Sequence, residues 1–202
     1  LCSLFLKLRI IVKSDRKLYK ILGSSTKRAE RLRQACDENS LTGKDYGIPF
    51  PTEKLVYKSV YRVPIKILSF NFENGRIAAE KITLESKRGK KLNDCSEKDQ
   101  ELVGNMLLNS QWYEKKATEQ LKASLAIEQQ EPAIVTWDGI LLNGNRRAAC
   151  LNSLFKDNGK PQYKLIDIVV LPQVGVDDLL DLENRLQLAK DFREKYGPVN
   201  ER

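Results

Sequence analysis

The segment that most constrains this chain runs from Asp138 to Leu151, DGILLNGNRRAACL. Ala133–Trp137 reads as a short apolar strand, Asp138–Gly139 as a hairpin turn and Ile140–Leu142 as the returning strand. Asn143-Gly144-Asn145 then breaks the run, and a helix is predicted from Arg146. That helix turns Ala148, Ala149, Leu151, Leu154 and Phe155 inward and stops at Asn158–Gly159. A glycine between strand and helix lets the backbone approach a ligand closely, and the first N–H groups of the helix favour an anion. Arg146 and Arg147 add forked donors suited to phosphate oxygens. Placed at the positive end of a helix, each exposed arginine also costs about 0.3–1 kcal/mol, which calls for a compensating anion. A bound phosphate meets that need, and so does a neighbouring Asp or Glu in a structural ion pair.

Before this segment, a helix is predicted from about Thr26 to just short of Asn39, and Gly43–Pro51, GKDYGIPFP, reads as a linker. Val56–Leu68 reads as a strand built on Val60, Val63, Ile65 and Ile67 around Pro64, and Lys87–Lys91 as an exposed basic turn. Ser96 is expected to cap a helix through Leu108, with Leu102, Val103 and Met106 on one face. Ser110 is expected to cap another, with Tyr113, Ala117, Leu121 and Leu125 at helical spacing, ended by Pro132. After it, Lys164–Leu171 reads as an apolar strand interrupted by Asp167, for which an edge position is the simplest account. Asp177 and Asp178 open a last helix through Leu186 towards Tyr196, closed by Gly197–Pro198. No repeat or low-complexity tract interrupts the chain.

Charge is uneven. The net +8 is concentrated in residues 1–47, which carry +6, while the other 155 residues carry +2. Lys27, Arg28, Arg31 and Arg33 share the first predicted helix; they suit contacts to a DNA backbone, or equally a solvated face with Ala29 and Leu32 packed inward. The 202 residues contain no histidine, which excludes Ser-His-Asp and Cys-His nucleophile systems and His-ligated zinc. The four cysteines form no close pair, as expected of a reduced, cytoplasmic protein. Leu1–Val12 is apolar but carries Lys7 and Arg9 and no small-residue cleavage site, so neither a signal peptide nor a membrane partner is expected.

Four boxes, in order, resemble the ParB/sulfiredoxin-like superfamily. VPIKILSFNFENGRI resembles its first box through Val63, Pro64, Ile65, Leu68, Asn71, Asn74 and Arg76. Ser124–Val135 resembles the helix-and-proline segment that leads into the central strand. Gly144, Arg146 and Arg147 match the G-E-R-R-x-x-A nucleotide box, with Asn145 in place of Glu and Cys150 in place of the final Ala. LENRLQ, Leu182–Gln187, resembles the E-N-L-Q helix with Arg185 inserted.

The resemblance implies an α/β (α+β) fold, a small mixed sheet with packed helices, in residues 56–202. Residues 1–47 would then be a basic, partly helical extension, and 48–55 a linker. It implies a nucleoside triphosphate, CTP or ATP, with Mg²⁺. Asn143, Gly144, Asn145, Arg146 and Arg147 would cradle the phosphates, Asn74 and Arg76 would face the same pocket, and Glu183 and Asn184 would hold the metal. The expected role is a switch or slow NTPase in a DNA-associated process, with DNA and a second copy of the chain as further candidate partners. Sulfiredoxin-type reductases need Cys-His-Arg after the glycine, where Asn145 and Arg146 stand, so that chemistry is excluded; the kinase branch's DGHHR-like box is equally missing. Two alternatives stay open: a DNA-binding protein or metal-dependent nuclease using carboxylates such as Asp138, Asp167 or Glu183, and an interaction module that has lost its ligand.

Overall fold

A computed structural model describes residues 25–37, 40–49, 55–109 and 115–196. Readings that fall on the signal-peptide stretch, Ser110, Tyr113 and Gly197–Pro198 lie outside them. The chain forms α1 (Ser25–Asp37), β1 (Leu41–Ile48), β2 (Val56–Pro64), α2 (Ala78–Arg88), α3 (Glu97–Asn109) and α4 (Lys115–Ile127). It continues through β3 (Ala133–Val135), β4 (Leu141–Asn143), α5 (Asn145–Asn158), β5 (Leu165–Val170) and α6 (Val176–Tyr196). The strands make one mixed sheet in the order β1-β2-β5-β3-β4, antiparallel except where β3 runs parallel to β5. None of the described helices is long and apolar enough to cross a membrane.

Alternation along the strands divides the core between the two faces of the sheet. Val63, Ala133, Val135, Leu141, Ile166 and Ile168 face one way, onto Leu32 of α1, Val103 and Leu107 of α3 and Leu151 and Leu154 of α5. Val60, Ile134, Leu142 and Val169 face the other way, onto Leu179 and Leu182 of α6. Cys150, where the resembled box has alanine, is fully buried in the first of these layers.

Three sequence readings are corrected here. Gly43 to Ile48 is not linker: the strand β1 occupies Leu41–Ile48 and pairs with β2, its glycines tolerated because β1 is an edge strand with an irregular register near Leu41. The strand from Val56 ends at Pro64, beyond which Ile65–Ile67 is a 3₁₀ turn. Asp167 sits on the central strand β5, not at an edge, because Arg62 stands opposite it on β2 and holds both carboxylate oxygens, at 2.6 and 2.9 Å. Helix α2 was not anticipated; none of its residues is fully buried, and its half-buried face is formed by Glu80, Lys81, Leu84, Glu85 and Arg88, of which only Leu84 is apolar. Ser96 does cap α3, its Oγ accepting from the Asp99 N–H, and the basic turn after Arg88 is exposed.

The first box is carried to the sheet by main-chain bonds. Ser69 N–H donates to Gly139 O, and Leu141 N–H donates to Ser69 O, each at 2.8 Å. The loop after β2 is thereby fixed alongside the β3–β4 hairpin, and residues 71–77 reach the start of α5.

Candidate functional site

The turn from β4 into α5 is held open only by a glycine. Gly144 has φ +88°, and a Cβ there would stand 2.6 Å from Ala133 Cβ and 3.1 Å from Ala133 Cα. A side chain at 144 would therefore be strained in backbone and in packing. The Gly144 N–H donates to Asn143 Oδ1 at 2.6 Å. Helix α5 then begins at Asn145, one residue earlier than predicted, with no side-chain cap and no acidic residue in its first turn. Its positive end carries Arg146 and Arg147 instead.

Asn145 is engaged within the protein. Its buried side chain accepts from Asn71 N–H at 2.9 Å and donates to Leu141 O at 2.7 Å, riveting the first-box loop to the helix start. The amide thus ties the first-box loop to β4 and the helix start, and an ionised carboxylate in its place could not donate to Leu141 O. Arg146 donates through Nη2 to Thr118 Oγ1 of α4 at 2.9 Å. Arg147 donates to the Glu131 carbonyl, and its Nη2 lies 3.7 Å from a Glu131 carboxylate oxygen. Burial pulls the Arg147 guanidinium below its ordinary pKa, opposed by the charge of Glu131. Part of the compensating charge is thus internal.

Beside these arginines lies a cleft of about 80 Å³. Asn143, Gly144, Asn145, Arg146 and Arg147 line it together with Asn74 and Arg76 from the first box and Glu183 from α6. Leu107, Leu121, Leu142 and Leu186 complete the wall. Asn74 also caps its own 3₁₀ turn, Oδ1 accepting from Arg76 N–H at 3.0 Å, which sets the start of the segment carrying Arg76. Glu183 Oε1 accepts from Asn71 Nδ2 at 3.4 Å, and burial pushes its carboxyl up to about 7. Sequence reasoning named the polar members of this wall. It did not name the leucines, Thr118 or Glu131, which come together only by packing.

Other expectations separate. Asn184 is exposed and does not line the cleft, because one residue along a helix turns the side chain about 100° away. The pair expected to hold Mg²⁺ is thus reduced to Glu183, and among the described residues no group of three metal-ligating side chains exists. A metal held through one carboxylate and incoming phosphates fits this wall; a cage made by the protein does not. Arg28 is buried and not available to DNA: it donates to Asp94 Oδ2 at 3.1 Å and Asp138 Oδ2 at 2.9 Å, clamping α1 to the hairpin turn. Lys27, Arg31 and Arg33 on the same helix are exposed. Asp138 also accepts from Thr136 Oγ1 at 2.6 Å. With Asp138 held by Arg28 and Asp167 held by Arg62, the carboxylates weighed for a nuclease metal are committed elsewhere and do not join Glu183.

A larger groove, about 750 Å³, opens between α1, α3 and α5. The cleft, by contrast, takes its leucines from both core layers, Leu107 and Leu121 from the first and Leu142 and Leu186 from the second, which places it at the end of β4 where strand passes into helix. Four cations, Arg28, Arg31, Lys66 and Lys156, line the groove together with four carboxylates, Asp94, Glu97, Glu101 and Asp157, so its charge is balanced, whereas in the cleft three arginines stand with one glutamate. No protein-family model matches the chain, and neither a curated protein nor a solved structure matches it at a significant level.

Proposed function

We propose that this chain is a ParB/sulfiredoxin-like domain that binds the phosphates of a nucleoside triphosphate, CTP or ATP, at the start of α5. The single observation that carries the reading is convergence: segments 74–76, 143–147 and residue 183, remote in sequence, line one cleft with three arginines and a single glutamate. In this reading the N–H groups at the start of α5 and the guanidiniums of Arg146 and Arg147 take the phosphate oxygens from one side. Arg76 and Asn74 take them from the other. Glu183 is the residue that would hold a Mg²⁺ bound together with the phosphates, and the ion would supply neutralisation of phosphate charge. Asn145 acts through Asn71 and Leu141, holding the two walls in register. The domain then serves as a nucleotide-dependent switch, or a slow NTPase, in a DNA-associated process.

Isothermal titration with CTP, ATP and GTP in Mg²⁺ tests this, with Arg147→Ala as comparison and thermal melts confirming that the variant folds. Heat with at least one nucleotide, lost in a folded variant, is the expected result. No heat with any of the three overturns the reading. A second reading, contact with a DNA backbone, is supported by the exposure of Lys27, Arg31 and Arg33 on α1. It is read from salt-dependent retention of duplex DNA and fails if retention survives their joint replacement by Gln.

A further inference from the structure

The size and lining of the cleft go further than the presence of cations. A cavity of about 150 Å³ admits one benzene molecule. About half of that volume lies between Gly144, the three arginines and α6. That is room for about one tetrahedral phosphate, and a chain of three would extend out through the open side of the cleft. The leucines bound this space on α3, α4, β4 and α6: Leu107, Leu121, Leu142 and Leu186 offer nothing to a second or third phosphate. No aromatic side chain lines the cleft among the described residues, so its wall has no platform on which a base would stack. Of the polar groups that converge, Arg76, Arg146, Arg147 and the amides of Asn74 and Asn143 suit oxyanion recognition, while Glu183 is the single lining carboxylate and opposes it when ionised.

We infer that the enclosed site recognises a single terminal phosphate group, so that the ligand class is phosphomonoester ends in general, with little selection by base or by phosphate number. The inference rests on the phosphate-binding reading above and refines its ligand class. The remainder of the ligand lies outside the cleft, where the enclosed arginines do not reach it.

The test is a titration series on the full chain at constant ionic strength, with inorganic phosphate, CMP, CDP, CTP, AMP and ATP, in EDTA and again in Mg²⁺. The expected result is that all nucleotides bind within about tenfold of one another and that inorganic phosphate displaces each of them. Arg146→Gln is expected to weaken the whole series together by about tenfold or more, with thermal melts reporting its fold. A preference of about a hundredfold for CTP over CMP, or for CTP over ATP, overturns the single-phosphate inference while leaving phosphate binding intact. Absence of binding by every ligand overturns both.

Discussion

Replacing Gly144 with alanine isolates the feature on which the site is built. Two penalties apply to Gly144→Ala. The φ of +88° places an alanine in the left-handed region, a cost of about 1–2 kcal/mol. The added Cβ also falls 2.6 Å from Ala133 Cβ and 3.1 Å from its Cα, both on the sheet and neither able to swing aside, which adds about 1–3 kcal/mol of overpacking. Gly159, at the other end of the same helix, supplies the control. Its φ is +67°, and a Cβ there has no heavy atom within 4 Å. Gly159→Ala is expected to cost only the backbone penalty, about 1 kcal/mol, and Gly144→Ala about 3 kcal/mol. For a domain of this length each kcal/mol lowers Tm by about 2–4 °C, so the two variants should melt several degrees apart. Paired thermal and urea melts read the difference. Equal losses for the two substitutions would refute the claim that the β4–α5 turn is pressed against β3.

Two further outcomes follow from charges in the sheet and the cleft. Glu183 has a folded pKa raised by burial to about 7 from an ordinary 4.5, so its stabilising contribution is fully present below pH 4.5 and is lost as pH rises through 7. Between pH 5 and 8 that loss is about 2 kcal/mol, and Glu183→Gln, whose amide oxygen still accepts from Asn71, should remove it; an unchanged pH slope in urea melts contradicts this account. Arg62→Ala strands the buried Asp167 carboxylate in the middle of the sheet and should cost about 2–4 kcal/mol at neutral pH, somewhat below a fully buried pair because Arg62 is half exposed. Adding Asp167→Leu to Arg62→Ala should recover most of that loss, and failure to recover it in urea melts shows that the pair is not the cause.

Local signals made the β3–β4–α5 unit legible. Asp138–Gly139 sits where the hairpin turns, Gly139 with φ +83°, and Asn143–Gly144 sits where strand gives way to helix. Each depends on a few adjacent residues. The same holds for Ser96 at the start of α3 and for the acidic opening of α6. What was not legible depends on partners far along the chain. Arg28 looks like one of four surface cations until Asp94 and Asp138 are seen to close around it. Asp167 looks out of place in an apolar strand until Arg62 is placed opposite it by β2–β5 pairing. Strand β1 was hidden by glycines that usually mark linkers, and becomes a strand only because β2 offers it an edge. Within the site, the polar residues named from the sequence line one cleft, except that helix phase leaves Asn184 outside it, and the Asn145 side chain is engaged by Asn71 and Leu141.

The central claim is that the tight turn at Gly144, together with Arg146 and Arg147, holds a phosphate. A crystal structure of the protein grown with CTP and Mg²⁺ tests it most directly. The account predicts tetrahedral density within hydrogen-bonding distance of the α5 N–H groups and the Arg147 guanidinium, with Arg76 on its far side. Nucleotide bound in the groove between α1, α3 and α5, with the turn at Gly144 untouched, would contradict it.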